Sequence, residues 1–359
     1  MLAQLSRPYA ILVAVFFLVA TAWCLSTPPG HVSKAAKGHY TDMMLFRDIV
    51  KEVQSGKDYY HAATDMQRAH HYPTRPFVTV REPALYLAGA AFGWDWLNLA
   101  EKVLYGAIIV LWLFALPAPI MWAEKLVAAG LIAAAGLAPI ATSLTPMSEA
   151  WTGLLLTLAL GLTLWHRAKW WMPVVVIAVA LSMRELALPF LLLAAAFAAW
   201  ERRWKELAAW VLIGMLFGIG LALHAAQVAQ VQLPTDLHSP GWTGGLGPRA
   251  VLLALVNTTL LHTLPMKLAL VIALLPLLGW LALDGRGGHF AVLLLGGYAL
   301  MIALFSRADN FYWGFLLIPA WFAGLALLPR ALIQLYGAIA RKPSSRFGRQ
   351  SPPAHSPPR

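Results

Sequence analysis

The chain has 359 residues, of which 60% are hydrophobic and only 12% are charged, and its formal net charge is +11. This composition excludes an ordinary soluble enzyme and is typical of an all-α protein that crosses a membrane many times. The basic residues stand in small clusters at the ends of apolar runs, without a stripe of interleaved aromatic residues, so no nucleic-acid partner is expected. Cys24 is the single cysteine, which excludes an intramolecular disulfide and a zinc site of several thiolates.

The first apolar run, residues 9–25, is interpreted as a retained signal-anchor helix, although "ATA" at Ala20 to Ala22 is similar to a signal-peptidase site. Lysine and arginine concentrate in cytoplasmic loops, so the basic clusters along the chain are assigned to the cytoplasm and about ten helices cross the membrane. Both termini are then cytoplasmic. The predicted spans are 9–25, 103–121, 126–142, 149–165, 171–183, 187–200, 207–224, 267–283, 289–305 and 312–334.

A long first external loop, residues 26–101, follows the first span. Loops of this size are usually functional or disordered. This loop is expected to carry amphipathic surface helices, because two of its segments have helical patterns. The segment "DMMLFRDIVKEV" has apolar residues at helical spacing with charges on the other side. The segment "REPALYLAGAAFGW" predicts a second helix at the membrane surface, with Trp94 and Trp96 at the interface. Two further external segments are predicted, residues 227–249 and 306–313. A partly buried surface helix is expected to follow the first of them and to extend to Leu264.

Two charged residues, Arg184 and Glu185, interrupt an apolar stretch between the basic clusters "HRAK" and "ERRWK". Both clusters are assigned to the cytoplasm, so the chain between them must cross and return on two short arms. Each arm is about 20 Å of helix against a hydrocarbon core of about 30 Å. Arg184 and Glu185 are therefore predicted at the outer turn of a short helical hairpin. Ionisable residues at such a depth usually line a cavity or carry function.

The domain organisation is predicted to be simple. Residues 1–340 form a single transmembrane domain, and the Pro-rich and Ser-rich basic segment 341–359 forms a disordered cytoplasmic tail that is held near anionic lipid.

The order of these elements resembles the GT-C superfamily of membrane glycosyltransferases. The resemblance is carried by "GHYTDMMLFRDIVKEVQSGKDYY", in which an aspartate precedes an amphipathic helix and a Gly-x-x-Tyr-Tyr sequence, and by "VREPALYLAGAAFGW". The segments "MSEAWTGLLLTLALGL", "SMRELALPFLLL" and "ADNFYWGFLL" are similar to bacterial mannosyltransferase-like members. The likeness extends over about residues 9–335.

The resemblance implies an inverting hexosyl- or pentosyltransferase of the bacterial inner membrane. Such an enzyme takes a sugar from a polyprenyl-phosphate donor and places it on a hydroxyl of a lipid or glycan acceptor at the extracytoplasmic face of the cell envelope. The family's general base is an acidic residue in the first external loop, and Asp42 stands at that position. The second acidic residue of some members is absent, since Thr41 and Met43 flank Asp42, and no clear motif supports a divalent metal.

The chemistry also stands on the residues alone. An acceptor hydroxyl gains from a carboxylate that takes its proton during attack, and a departing phosphate gains from bidentate arginine donors. The predicted substrate-binding residues are Arg184, Glu185, Arg307, Asp309 and Glu149.

Each assignment has a structural alternative. Thr41 or Asp42 could cap the following helix, and Asp48 could replace Asp42 as the base. Arg184 could pair only with Glu185, and Arg307 with Asp309 in an interfacial ion pair. Glu149 could be a first-turn charge that the helix dipole favours.

Five histidines crowd the first external loop without a recognised metal spacing: His31, His39, His61, His70 and His71. A second function class is a lipid or sugar transporter or flippase without transferase chemistry. Such a protein is expected to have discontinuous helices in both halves and polar groups near mid-membrane.

Overall fold

The computed structural model describes residues 1–26, 40–242 and 244–341. These residues form α-helices joined by turns and short 3-10 segments, and they contain no β-strand. The helices are α1 Arg7–Ser26, α2 Asp42–Gln54, α3 Tyr59–Ala69, α4 Ala84–Phe92, α5 Trp94–Ala115, α6 Trp122–Ala135, α7 Ser148–Leu164, α8 Trp171–Met183, α9 Leu188–Trp200, α10 Trp204–Val231, α11 Pro248–Asn257, α12 Met266–Trp280, α13 Gly285–Phe305, α14 Ala320–Ala323 and α15 Leu328–Ala340. The 3-10 segments are Leu2–Gln4, Phe77–Thr79, Glu185–Ala187, Leu260–Thr263, Ala308–Leu316 and Gly324–Leu327.

Five helical stretches in the described part of the chain are long and apolar enough to cross a membrane: Arg7–Ser26, Trp94–Ala115, Trp204–Val231, Gly285–Phe305 and Ala320–Ala340. Shorter apolar helices lie at Ser148–Leu164, Trp171–Met183, Glu185–Trp200, Pro248–Asn257 and Met266–Trp280. Many apolar side chains of the long helices point away from the protein, and Leu18, Ile219 and Leu300 are among them. Exposed apolar side chains along helices long enough to cross a bilayer are typical of contact with lipid. The protein is therefore a helical membrane protein.

Several helix boundaries differ from the prediction. Helix α4 ends at Phe92, and the positive φ of 80° at its C-cap, Gly93, lets the chain turn at once into α5. Trp94 and Trp96 therefore begin a long helix instead of closing a surface helix. The last long stretch begins at Ala320 and not at residue 312. The chain before it forms the 3-10 segment Ala308–Leu316, and Pro319 then opens α14.

Helix α7 lies at the centre of the bundle and is buried along almost its whole length. It packs against α5, α8 and the segment Ala308–Leu316. At Gly153 the backbones touch, because a Cβ atom there would lie 1.9 Å from the carbonyl oxygen of Phe315. The sequence of α7 therefore has apolar residues on all sides, as expected for an interior helix.

The first external loop folds into a small helical layer with its own core. Helices α2, α3 and α4 pack on one another around Leu45, Ile49, Tyr59 and Tyr86. Helix α2 matches the predicted amphipathic helix, although Leu45 is buried and Met44 is exposed. Helix α3, with Asp58 as its N-cap, is an element that the sequence patterns did not indicate.

The other two predicted external segments contact this layer or each other. Arg68 of α3 forms a bidentate bond to Asp236, with its Nε 2.7 Å from Oδ1 and its Nη2 3.1 Å from Oδ2. Arg307 in turn donates from Nη1 to Ser239 Oγ at 3.2 Å and to the Gly241 carbonyl at 3.1 Å. The three polar segments therefore form one assembly at one end of the bundle.

The predicted short hairpin is confirmed. Helices α8 and α9 have 13 residues each and meet at the turn that begins with Arg184. The clusters "HRAK" and "ERRWK" lie together at the other end of these helices, since Lys169 and Arg203 line the same cavity. The bundle thus has a polar layer at one end and a basic end opposite to it. The predicted tail, residues 341–359, lies outside the described residues apart from Arg341, as do His31 and His39.

Candidate functional site

A buried cluster of charges lies where the polar layer meets the bundle. Arg81 comes from the loop before α4, Glu149 from the first turn of α7, and Arg184 and Glu185 from the turn between α8 and α9. Glu149 Oε1 is 3.2 Å from Arg81 Nη2 and 3.1 Å from Arg184 Nε, and Arg184 Nη1 is 3.2 Å from Glu185 Oε2. Chain segments far apart in sequence are thus joined by one ionic network.

The network is buried but not saturated. The side chains of Glu149 and Arg184 are 1% and 6% exposed, whereas that of Glu185 is 27% exposed. Within the described residues, Nε and Nη1 of Arg184 and Oε1 of Glu149 have no aligned hydrogen-bond partner despite these short distances. Buried charges with unused hydrogen-bonding capacity are costly. The side of the network at Glu185 is therefore where a polar ligand could reach it.

Glu82 adds a carboxyl group at the edge of this network. The residue is 9% exposed, and neither carboxylate oxygen receives a hydrogen bond from a described donor. Burial, followed by the negative charge of Glu185, raises the pKa of Glu82 to about 8 against the opposing pull of Arg184 and Arg81. At neutral pH the carboxyl therefore carries a proton, which it can share with Glu185.

An apolar groove leads from Glu82 into the membrane-facing surface. Its volume is about 530 Å³. Side chains of α4, α8 and α10 line it, including Leu87, Leu181, Phe217 and Leu221. Its polar end is formed by Glu82, Tyr60, Ser182, His224 and Gln227. A groove with this division fits a molecule with a long apolar tail and a polar head.

His224 fixes the polar layer to the membrane helix α10. Its Nε2 lies 3.0 Å from the Val80 carbonyl oxygen, and its Nδ1 lies 3.4 Å from the Tyr60 hydroxyl. Because Val80 directly precedes Arg81 and Glu82, this contact sets the height of both residues relative to the groove.

Asp42 is the first residue of α2 and is half-buried. Thr41 supplies the N-cap, since its Oγ1 accepts from the Met44 amide at 3.4 Å, so the carboxylate of Asp42 is not needed for capping. The Tyr72 hydroxyl donates to Asp42 Oδ1 at 2.9 Å. Within the described residues, Oδ2 accepts no hydrogen bond and is free to take one from a ligand.

Asp42 and the ionic network are neighbours. Phe46, one helical turn after Asp42 on the same face of α2, lies beneath the Arg81 guanidinium at 5.9 Å from its ring centre. Tyr312, in the segment Ala308–Leu316, lies within electrostatic range of Asp42, Arg81, Glu149 and Arg184. The predicted residues Asp42, Glu149, Arg184 and Glu185 therefore meet in one region.

Arg307 and Asp309 lie in the same assembly but engage each other. Arg307 Nε and Nη2 donate to the two carboxylate oxygens of Asp309 at 3.1 and 3.0 Å, and Nη1 binds the loop at Ser239 and Gly241. This matches the ion-pair alternative. In the described residues no contact joins Arg307 to the ionic network, and its role as a phosphate ligand stays a prediction.

The remaining acidic and histidine candidates do not form a centre of their own. Asp48 accepts from the Tyr40 hydroxyl at 2.8 Å and pairs with Lys51 at 2.8 Å, so both its oxygens are occupied. The described residues contain no group of three or more His, Cys, Asp or Glu side chains that could hold a metal ion.

Sequence patterns missed Arg81, Glu82, Tyr72, Tyr312 and His224. One signal was available for the first two: Arg81–Glu82 and Arg184–Glu185 are both Arg-Glu doublets that stand directly before an apolar helix. In the structure the two doublets lie side by side.

Comparison of the chain with family models, curated protein sequences and solved structures finds no match.

Proposed function

We propose that the protein is a membrane glycosyltransferase of GT-C type that moves a sugar from a polyprenyl-phosphate donor to a hydroxyl of a lipid or glycan acceptor at the extracytoplasmic face. The observation that carries the proposal is the apolar groove that ends at Glu82, within electrostatic reach of the buried arginines Arg81 and Arg184. Asp42 is related to the same arginines through Phe46 and Tyr312. A polyprenyl tail matches the groove, and a phosphate with its sugar matches its charged end.

In the proposed reaction the acceptor oxygen attacks the anomeric carbon while Asp42 Oδ2 takes the hydroxyl proton. The bond between the anomeric carbon and the phosphate oxygen breaks, and the electron pair leaves with the phosphate. Tyr72 holds Asp42 Oδ1 and thereby orients the carboxylate. The leaving phosphate needs positive donors rather than a proton, and the unaligned N–H groups of Arg184 are such donors.

Glu185 is suited to regulate access to Arg184. It is the more exposed partner of the pair, so a donor phosphate would take its place beside Nη1 while Glu149 keeps the guanidinium in position. Protonated Glu82 could then donate to the phosphate or to a sugar hydroxyl.

The test is Asp42→Asn in purified protein that is given polyprenyl-phosphate sugars and a membrane lipid extract as acceptor. The substitution keeps size and polarity but removes the proton acceptor, so turnover should fall about 10²–10⁴-fold with unchanged donor binding. Asp48→Asn is the matched control on the same helix, and we expect nearly normal turnover.

Normal transfer by Asp42→Asn would show that another residue is the base. If the wild-type protein moves polyprenyl-linked lipid across vesicle membranes but transfers no sugar, the protein is a transporter and not a glycosyltransferase.

A further inference from the structure

A second cavity lies at the basic end of the bundle, on the side opposite to the ionic network. It has a volume of about 190 Å³ and lies between the ends of α7 and α9 and the starts of α8, α10 and α13. Helix α7 alone separates the two ends by about 25 Å, because its 17 residues rise about 1.5 Å each. The cavity therefore cannot belong to the proposed active site.

Positive charge dominates the cavity. Arg203, Arg286, Lys169 and His166 line it, against the single carboxylate of Glu206. Arg203 and Arg286 share Glu201, whose oxygens lie 2.7 and 2.9 Å from their Nε atoms. Arg203 also pairs with Glu206.

These ion pairs leave donors unused. Arg203 Nη2 is buried and has no hydrogen-bond partner among the described residues. Burial, followed by the like charge of Arg286, lowers the pKa of Arg203. Lys169 has no ion-pair partner in the part of the chain that the structure describes. An anion in the cavity would supply the partner that Arg203 Nη2 and Lys169 lack among the described residues.

The surroundings place this cavity at the level of lipid headgroups. Four tryptophans at the adjoining helix ends are exposed: Trp170, Trp171, Trp200 and Trp204. Exposed tryptophans at the ends of apolar helices mark the membrane interface. The deeper wall, with Leu162, Pro173, Ala194 and Phe290, is apolar. A free phosphate ion would gain nothing from that wall, whereas the glycerol and upper acyl chain of a lipid would.

We infer that this cavity binds the phosphate of an anionic phospholipid between the helix ends. Arg203 Nη2, Arg286 and Lys169 contact the phosphate, and the apolar wall contacts the lipid below it. The bound lipid fastens the α7–α8 and α9–α10 connections to the start of α13.

The experiment measures phosphatidylglycerol binding to the intact, detergent-purified chain by native mass spectrometry, with phosphatidylcholine as the zwitterionic reference. Lys169→Gln and Arg286→Gln should each weaken phosphatidylglycerol binding about 5-fold, the effect of one positive charge at a membrane surface. Lys205→Gln is the matched control, because Lys205 is an exposed basic residue at the same end that does not line the cavity. We expect it to change binding less than about 2-fold, roughly half of that effect in free energy.

Arg286→Gln could destabilise the protein, because Arg286 pairs with Glu201. Lys169 is exposed and its replacement should leave stability unchanged, so Lys169→Gln then provides the test. If Lys169→Gln and Lys205→Gln lose the same amount of phosphatidylglycerol binding, the inference is overturned, because the lipid is then attracted by the charge of the whole surface and not by the cavity. Equal binding of phosphatidylglycerol and phosphatidylcholine would overturn it too. A third contradicting result is full displacement of the lipid by millimolar inorganic phosphate, which would identify a site for the free ion.

Discussion

At the scale of single residues, the most informative group is Glu82. Its two oxygens are buried, receive no hydrogen bond from any residue that the structure describes, and lie between an apolar groove and a cluster of charges. A carboxyl group can persist there because it is protonated at neutral pH. It therefore contributes a neutral hydrogen-bond donor to the site, whereas an ionised Glu82 would add a second negative charge next to Glu185, which already pairs with Arg184.

This protonation makes stability depend on pH. The pKa of Glu82 is about 8 in the folded protein and about 4.3 in an unfolded chain, so between these values the folded state holds a proton that the unfolded state has released. Stability should therefore fall as pH rises from about 5 to about 8, by at most about 1.4 kcal/mol per pH unit. In Glu82→Gln the contribution of Glu82 should be lost, so stability should fall less steeply over this pH range than in the wild type. Thermal melting in detergent at several pH values measures it.

Glu52→Gln serves as the comparison, because Glu52 is a carboxylate of the same loop with an accessible side chain. It should melt with the same pH dependence as the wild type. If the melting temperatures of the wild type and of Glu82→Gln change in parallel with pH, Glu82 is ionised in the folded protein.

At the scale of elements, the pair Arg68–Asp236 connects helix α3 to the loop after α10. Asp236 is 1% exposed in its side chain, and the hydrogen bonds from Arg68 lower its pKa. Arg68 Nη2 also donates to the Val231 carbonyl at the end of α10. One side chain thus holds two of the three polar segments together.

We expect Arg68→Met to release this contact and leave Asp236 as a buried charge without its partner, a change that costs about 3–5 kcal/mol in other proteins. Backbone amides of α3 and of residues 232–242 should exchange hydrogen faster. The double variant Arg68→Met, Asp236→Asn should recover part of the protection because no unpaired charge remains. Arg75→Met removes only a bond to the Leu233 carbonyl and should have a smaller effect.

Wild-type exchange rates in Arg68→Met would show that the charge pair does not hold the segments.

The elements that could be predicted from sequence are those with a local pattern. Helix α2 has apolar residues at helical spacing, and the turn at Arg184 follows from two basic clusters and the length between them. Helix α3 was not predicted, because polar and apolar residues are interspersed in its sequence, "YYHAATDMQRA", and its buried face depends on packing against α2. The charge cluster was predicted only in part. Sequence patterns identified Glu149 and Arg184 as separate candidates, but their contact with each other and with Arg81 depends on how the bundle folds.

At the scale of the whole molecule, the structure divides into a polar layer and a basic end, joined by the membrane helices. Sequence predicted this division from charge alone, and the structure places the clusters "HRAK" and "ERRWK" and Arg286 at one end. Which end faces the cytoplasm stays a prediction, since helix packing is the same in either orientation.

Labelling with a membrane-impermeant thiol reagent can determine this orientation. His61→Cys lies in the polar layer and Lys205→Cys at the basic end, and the native Cys24 is fully buried, so the wild type provides the unlabelled background. The positive-inside pattern predicts that intact cells label at position 61 and that position 205 labels only after lysis. The reverse result would put Asp42 in the cytoplasm and exclude transfer at the outer face.

Helix α10 has a further consequence through its length. Its 28 residues rise about 42 Å, beyond the hydrocarbon core of about 30 Å, and its far turns carry His224 and the contact to Val80. A rigid helix adapts to a thicker or thinner bilayer mainly by tilting. Because α10 also forms a wall of the groove, its tilt moves Tyr60 and Glu82 relative to α8. We therefore expect the width of the groove entrance to depend on bilayer thickness, and with it on the lipid composition of the surrounding membrane.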